Sequence, residues 1–466
     1  MRWVNRVLLG SAAGIVAIAG AEAADLPVKA KPVEYVKICS AYGAGFYYIP
    51  GTDICLRVGG YAFIEAGWNA RNGVPQFYNY NLGDNLILNN DDNLLGWRTR
   101  GLIILDARSQ TAIGTVRTYI AFGANYSNNQ NGAGLGGNVG AYLDRAFIQF
   151  AGFTAGYSVS FFDFTSSYSI YTLASIAYHW APIFAYTAQF GNGFSASISI
   201  EDGQAIRTRL LANSAGSAFT GVAYAAATDA YGGQVIPDIV ANLRVSQAWG
   251  SAQISGALHQ IRVNQAAALG APFTTTAAGD QYGWAVLGGI EIKTPMIAPG
   301  DSITLQGVYA DGAVEYTGIS SSQNSFATAI GLKNALGVGP ATAIYDAFVG
   351  GIPGFEFQRS KAWSANLMFR HFWQSNLRSA FWVGYNRYEP GFNGTAYPAF
   401  ALPPIMRIWQ AGGNVIWSPV PTLDLSLDVL WTRVDTESCA GAAVALTNCN
   451  QSADIWSAWT RWRRNF

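Results

Sequence analysis

Apolar and polar side chains alternate one by one along many short stretches of this chain. Residues 194–201 read FSASISIE, with apolar side chains at the even positions and polar ones at the odd positions. In 422–432, the apolar side chains from Leu423 to Trp431 occupy odd positions and oppose Asp424, Ser426 and Asp428. Because successive side chains of a strand point to opposite faces, both stretches predict β-strands with one apolar and one polar face.

Similar amphipathic segments follow one another along the chain, most of them near the ~9–11 residues that a tilted membrane-spanning strand needs. The sixteen segments are 56–68, 96–108, 113–125, 141–151, 153–161, 182–190, 194–203, 237–248, 250–263, 282–293, 301–312, 359–373, 378–388, 406–418, 422–435 and 454–466. The pattern near 283–290 and 406–417 is ambiguous, so a count of eighteen strands stays open.

The connections between these segments alternate between long and short. Long connections such as 69–95 and 313–358 follow the odd-numbered strands, and tight turns such as Gly191–Gly193 follow the even-numbered ones. This alternation is typical of outer-membrane barrels with long surface loops and short periplasmic turns. A polar inner face indicates a water-filled lumen, because a small barrel fills its interior with side chains. We therefore predict an all-β fold, a transmembrane antiparallel β-barrel of sixteen strands.

The amino terminus has the features of a secretory signal peptide. Arg2 and Arg6 precede an apolar run over 7–19, and the small residues around Ala23 suit a signal peptidase. We expect residues 1–23 to be removed, 24–55 to form a periplasmic segment and 56–466 to form the barrel.

The last twelve residues, IWSAWTRWRRNF, predict a wall strand bordered by aromatic side chains. Trp456, Trp462 and Phe466 share the even-numbered face, which suits hydrocarbon and its aromatic border. Arg461 and Arg463 share the odd-numbered face, which suits water, and Trp459 is the exception on that face.

Composition excludes most other classes of protein. Charged residues make up only 12% of the chain and aromatic residues 14%. No stretch after residue 23 is long and apolar enough for a membrane helix, and a closed barrel is the common alternative for a hydrophobic exported chain. Without the signal peptide, 26 basic and 27 acidic residues remain, which argues against a nucleic-acid partner. We found no catalytic or phosphate-binding motif in a suitable context, so we predict neither an enzyme nor a cofactor.

The four cysteines form two closely spaced pairs. Cys39 and Cys55 lie before the first strand, and Cys439 and Cys449 lie in the last surface loop. In an exported protein two disulfides are expected, and local pairing is the simplest of three connectivities. No histidine is near either pair, so we predict no metal site there. The Asp- and Asn-rich run 84–93 could hold Ca²⁺, but a solvated loop explains it more simply.

Three segments and the terminal RNF resemble the general porins of alphaproteobacteria. The segments are VEYVKICSAYGAGFYYIPGTDICLRVGGY (33–61), FIQFAGFTAGYSVSFFDF (147–164) and AYTAQFGNGFSASISIEDG (185–203). The resemblance implies a homotrimeric outer-membrane channel whose third surface loop folds into the lumen. It also implies that Phe466 serves the barrel-assembly machinery, and that lipid and lipopolysaccharide surround the barrel.

Strand parity, the odd or even position of a residue within its strand, indicates which charged side chains face inward and should line the pore. Arginines cluster on the strands that meet where the barrel closes, together with Glu65 and Asp106: Arg57, Arg98, Arg100, Arg108, Arg117, Arg461 and Arg463. Porin constriction loops usually carry several carboxylates, but the loop from Phe162 contains only Asp163. These residues predict a weak anion preference, which Asp424 and Asp428 oppose if they lie at the narrowest point. Scattered solubilising charge is the alternative interpretation.

The leading hypothesis is a porin for passive diffusion of small hydrophilic solutes and ions across the Gram-negative outer membrane. A substrate-specific channel, for example for sugars, would need aromatic side chains along the lumen, and Tyr168, Tyr171 and Tyr178 are candidates. A structural or adhesive barrel is the third hypothesis.

Overall fold

The structure, a computed structural model, describes most of the barrel and parts of the long connections. The described residues are 37–68, 70–71, 74–75, 95–128, 138–165, 167–170, 173–212, 231–263, 280–319, 344–349, 357–391, 405–437 and 451–466. The predicted signal peptide, the Cys439–Cys449 pair and the Asp- and Asn-rich run 84–93 lie outside these residues.

Sixteen antiparallel strands form one closed barrel. They are β1 Cys55–Trp68, β2 Leu95–Thr111, β3 Gly114–Ser127, β4 Asn138–Phe150, β5 Phe153–Val159, β6 Trp180–Gly191, β7 Phe194–Glu201, β8 Asp238–Gln247, β9 Gly250–Ile261, β10 Gln281–Lys293, β11 Ser302–Asp311, β12 Lys361–Gln374, β13 Leu377–Glu389, β14 Ile405–Val420, β15 Leu423–Glu437 and β16 Gln451–Asn465. Each strand pairs with the next, and β16 pairs with β1, where Tyr61 lies opposite Asn465. The prediction of a sixteen-stranded barrel is confirmed, so the count is not eighteen.

Strand boundaries differ from the predictions by a few residues where local contacts decide them. The predicted strand 153–161 ends as β5 at Val159, because the chain turns directly after it and the Asp163 amide donates a hydrogen bond to the Ser160 carbonyl oxygen. Strand β2 runs on to Thr111, since its pairing with β3 continues to the turn, where Thr111 faces Gly114.

The predicted alternation of long and short connections is confirmed. Two-residue turns join β2 to β3, β4 to β5, β6 to β7, β8 to β9, β12 to β13 and β14 to β15, and an eight-residue connection, 294–301, joins β10 to β11 at the same end. In the β6–β7 turn, Asn192 has φ 49° and Gly193 has φ 79°. Positive φ at both positions is the type I′ geometry that matches the twist of a hairpin. All the long connections therefore lie at the opposite end, which we call the loop end.

The two faces of the strands carry the predicted side chains. On β15, Leu427 on the outer face is 52% exposed, whereas its neighbour Asp428 on the inner face is completely buried. On β16, Trp456 and Trp462 are exposed, as is Phe466 directly after it, and Trp459 points inward and is buried. Part of the inner face does not border open lumen, because the third long connection covers it.

The Cys39–Cys55 disulfide is present, as predicted. The two Cα atoms are 5.9 Å apart, and the segment between them forms a small hairpin in which Tyr47 and Tyr48 pair with the start of β1. The Phe46 ring lies 5.2 Å from the Arg57 guanidinium and 4.9 Å from that of Arg108. The disulfide therefore holds this segment against the inner wall at the turn end.

Cys439–Cys449 pairing stays a prediction. Closing a loop of this length stabilises a protein by roughly 3 kcal/mol in chain-entropy terms, so we expect a second disulfide in the exported protein. Peptide mapping without reduction should recover Cys39–Cys55 and Cys439–Cys449 peptides. A link between the two pairs would show that local pairing is wrong.

Other elements are short. Arg209–Ala212 pairs in parallel with Tyr345–Val349, which also pairs with Gln358–Arg359, and together they form a small sheet at the loop end. Across the described ranges, no helix is long and apolar enough to cross a membrane.

Candidate functional site

The third loop connects β5 to β6, and its described residues, 160–165, 167–170 and 173–179, lie inside the barrel. Inward side chains of distant strands hold its backbone. Asn242 of β8 donates a hydrogen bond to the Phe161 carbonyl oxygen at 2.6 Å, and Asn414 of β14 donates one to that of Tyr168 at 2.9 Å. Gln410 of β14 accepts a hydrogen bond from the Ala174 amide at 2.8 Å. The loop therefore crosses the lumen along the inner face of β8–β15.

Asp428 of β15 is an anchor for this loop. Its Oδ2 accepts hydrogen bonds from Ser169 Oγ at 2.9 Å and from the Ile170 amide at 2.7 Å. The sequence placed Asp428 on the inner face, where it lies, but its carboxylate is covered by the loop and does not reach open lumen. Parity identifies the face of a side chain and cannot show what covers it.

Two wall glycines make room for the loop. A Cβ atom at Gly289 would lie 2.3 Å from the Phe164 ring, and one at Gly384 would lie 2.1 Å from Ser175 Oγ. Apolar contacts complete the fit, because Leu173 and Ile176 pack in one buried cluster with Trp459 and other wall residues. The inward Trp459 of β16 is thus a partner for the loop, which explains the exception in its strand.

A buried ion pair closes the root of the third loop. His179 Nδ1 lies 3.1 Å from Asp163 Oδ1, its Nε2 lies 3.1 Å from the Glu315 carbonyl oxygen, and both side chains of the pair are 2% exposed. Asp163 is the only acid in the loop, so the loop presents no exposed carboxylate to the lumen. Burial alone would lower the pKa of His179, but the charge and hydrogen bond of Asp163 outweigh it and raise this pKa from 6.5 to about 9.

We expect the third loop to loosen in alkaline solution. Because the folded-state pKa of His179 is raised, its stabilising contribution is complete below pH 6.5 and is lost as the pH rises to about 9. Single-channel current fluctuations should therefore increase from about pH 7 to about pH 10. His179→Gln should fluctuate at every pH without this transition. Equal noise in the unmodified protein at both pH values would contradict the assignment.

The wall formed by β16, β1, β2 and β3 carries the predicted arginines. Glu65 is buried between Arg98 and Arg461, with which it forms ion pairs. Asp106 is buried among three more arginines, and its carboxylate oxygens lie 3.5 Å from Arg57, 2.8 Å from Arg108 and 3.0 Å from Arg117. Each acid is therefore shared by more than one guanidinium, which leaves this wall net positive.

Arg100 and Arg463 differ from the other arginines of this wall. Their Nε atoms donate hydrogen bonds to the side-chain amide oxygens of Asn125 at 3.0 Å and of Asn465 at 2.9 Å. Among the described residues, no carboxylate lies within ion-pair distance of either guanidinium. Their charges are thus the least compensated ones on the wall.

Sequence reasoning missed charges on other strands. Arg244, Arg370 and Arg378 project from the inner faces of β8, β12 and β13, so inward arginines also occur outside the predicted cluster. The same alternation of side chains that selected Arg98 could have identified all three. Asp424 was predicted to oppose the arginines, but it is ion-paired with Arg378 at 2.8 Å.

Asp144 is a further inward acid that the sequence pattern did not reveal. The pairing of β3 with β4 shifts register between Ala121 and Phe122, which leaves Asp144 without a partner position on β3. Its carboxylate pairs with Arg145 at 3.4 Å and accepts a hydrogen bond from Tyr142 at 2.9 Å. Such a bulge breaks strict alternation, so parity fails for this residue.

Histidine, cysteine and carboxylate side chains do not gather into a metal site in the part of the chain that is described. Tyr168 donates or shares hydrogen bonds with Glu291, Ser302 and Thr304 of the wall. Its ring is therefore held at the wall. Tyr171 lies outside the described residues.

The closed sixteen-stranded barrel agrees with comparisons to known proteins. A model of the porin subfamily matches residues 25–459, nearly the whole chain. The chain belongs to the porin subfamily. This membership and the sixteen-stranded barrel place the protein in the outer membrane of a Gram-negative bacterium.

Individual relatives of this porin include porin Omp2b of Brucella melitensis and of Brucella abortus. Each is 34% identical over 261 residues, which are 53% of this chain and 64% of the relative. The chain thus spans slightly less than two thirds of the length of these relatives. Among solved structures, the outer membrane channel DcaP of Acinetobacter baumannii superposes with a TM-score of 0.58 at 15% identity, covering 90% of this chain and 99% of that one. This likeness supports the fold alone.

Proposed function

We propose that this porin forms a water-filled channel through which small hydrophilic solutes and ions diffuse passively across the outer membrane. The observation that carries the proposal is the polar inner face with a loop fixed across it. A folded-in loop narrows a barrel of this size without closing it, as diffusion through a selective pore requires.

The arrangement of charge supports a weak preference for anions. Inward arginines lie on β16 and β1–β3 and also on β8, β12 and β13, the third loop adds no exposed carboxylate, and the acids Glu65, Asp106 and Asp424 are each held by arginines. Fixed positive charge lowers the entry barrier for anions and raises it for cations. The anion preference is therefore a property of the wall, without a transverse field between wall and loop.

Passive diffusion can be tested by solute entry into liposomes that contain the purified protein. We expect swelling rates for uncharged sugars to fall smoothly with solute size and to show no saturation. Saturable entry of one sugar would favour the substrate-specific alternative, and the absence of any swelling would favour a structural or adhesive barrel.

The partners of this porin are further proposals. We infer a homotrimer and recognition of Phe466 by the barrel-assembly machinery from the family. Contact with lipopolysaccharide has physical support, because ion pairs lie on the outer face at the loop end, including Arg387 with Glu389 and Arg433 with Asp435. Charged side chains at this level suit phosphate-bearing headgroups. Native mass spectrometry from mild detergent should detect three chains with bound lipopolysaccharide.

A further inference from the structure

The least compensated arginines of the wall lie against aromatic rings. The guanidinium carbon of Arg100 is 3.6 Å from the centre of the Tyr142 ring, and that of Arg463 is 3.9 Å from the centre of the Tyr61 ring. Phe63 is directly opposite Arg100 on β2 and opposite Arg463 on β16, so it lies between them in one row. The rings of Tyr61 and Phe63 are themselves stacked, with centres 5.8 Å apart.

Stacking fixes how these guanidinium groups can bind a ligand. When the face of a guanidinium covers a ring, its N–H groups still project in the guanidinium plane, where they can bind a carboxylate in a bidentate manner. In Arg100 and Arg463, the hydrogen bond to an asparagine uses Nε, and the terminal nitrogens are on the other edge.

Nearby acids do not compete strongly for these arginines. Glu65 is held by Arg98 and Arg461, and Asp144 is held by Arg145 and Tyr142. Asp424, which lies opposite Arg463 on β15, is ion-paired with Arg378 at 2.8 Å. An incoming anion thus meets two guanidinium groups without replacing an internal carboxylate. The tyrosine rings beside them are only half-buried, so they offer an apolar surface next to the positive charge.

We propose that Arg100, Arg463, Tyr61 and Tyr142 form a subsite for small carboxylates that carry an aromatic ring. The carboxylate is bound by the guanidinium edges, and the ring of the solute packs against the tyrosines. This inference rests on the proposed channel function and refines it. Inorganic anions pass with a weak preference over cations, and aromatic carboxylates bind transiently at the subsite.

Blockade of the KCl current through single channels in a planar bilayer tests the subsite. We expect benzoate to interrupt the current at about one tenth of the acetate concentration, a difference of about 1.4 kcal/mol. This magnitude lies within the range of contacts between aromatic rings, about 0.5–1.5 kcal/mol. Benzamide, which has the ring without the charge, should not interrupt the current.

Two sets of variants separate the role of charge from that of the rings. Combined Arg100→Gln and Arg463→Gln should abolish interruption by benzoate. Combined Tyr61→Leu and Tyr142→Leu should bring benzoate to the level of acetate and preserve the chloride preference. Arg464→Gln, on the outer face of β16 beside Arg463, is the control and should behave like the unmodified protein.

The outcomes distinguish this inference from the channel itself. Equal blockade by benzoate and acetate in an anion-preferring channel would overturn the subsite and leave the proposed function intact. Unchanged benzoate blockade in either double variant would also overturn it. A protein that gives no current at all would contradict the proposed function together with the subsite.

Discussion

Replacing Leu427 by Arg should destabilise the barrel by about 2–4 kcal/mol, the cost of an arginine on the lipid face near the bilayer midplane. Leu427 is exposed on the outer face of β15. Its neighbour Leu425 pairs with Trp417 and Trp462, and Trp431 pairs with Trp456, so Leu427 lies between two levels of aromatic side chains. Urea unfolding in lipid vesicles measures the loss.

Ser426→Arg is the matched control for this substitution. It places the same side chain one residue earlier in the chain, on the inner face, where water can solvate the charge. We expect its unfolding midpoint to remain close to that of the unmodified protein. If the two variants lost similar stability, the assignment of faces on β15 would be wrong.

Releasing the third loop from the wall is the second large effect that we expect. Asp428→Ala removes the acceptor for Ser169 Oγ and for the Ile170 amide. The Ile170 amide loses its acceptor, and such a loss costs about 1–3 kcal/mol for a buried donor, so the detached state of the loop should become roughly tenfold to a hundredfold more populated. Single-channel recordings should show larger and noisier currents.

Asp424→Ala controls for the change in charge. It removes one negative charge from the inner face of the same strand without removing a contact to the third loop, since the partners of Asp424 are Arg378 and Ser418. Its selectivity should shift, and its current noise should not. Currents of Asp428→Ala that match those of Asp424→Ala would contradict the role of Asp428 as an anchor.

The strands were predictable because alternation is a local property of the chain. The strand Leu423–Glu437, for example, reveals its apolar and polar faces within a few residues, independently of the strands beside it. Closure of the barrel follows from the number of such strands, and the long and short connections follow from their spacing. The order of the strands therefore needed no knowledge of tertiary contacts, whereas the choice between sixteen and eighteen strands was decided only by the folded barrel.

The contacts of the third loop were not predictable in the same way. Asp428 and Ser169 are distant in the sequence, and nothing in the pattern of β15 distinguishes an acid under the loop from one in open lumen. Trp459 looked like an exception in its strand until the apolar residues of the loop were found beside it. Parity assigns a face, and the partner on that face is a tertiary property.

The charge balance of the lumen depended on both kinds of information. Arg98 and Arg461 could be assigned to one wall from their strands, but their shared carboxylate Glu65 became clear as an ion-pair partner only in the folded barrel. Burial of Asp163 against His179 then removes the remaining acid of the loop from the lumen.

The reversal potential of single channels under a KCl gradient tests the central proposal most directly. We predict ohmic conductance steps and a reversal potential that favours chloride in dilute salt. The preference should weaken in concentrated salt, because the screening length falls from about 10 Å at 0.1 M to about 3 Å at 1 M. Absence of conductance, or a clear preference for potassium in dilute salt, would contradict the proposal.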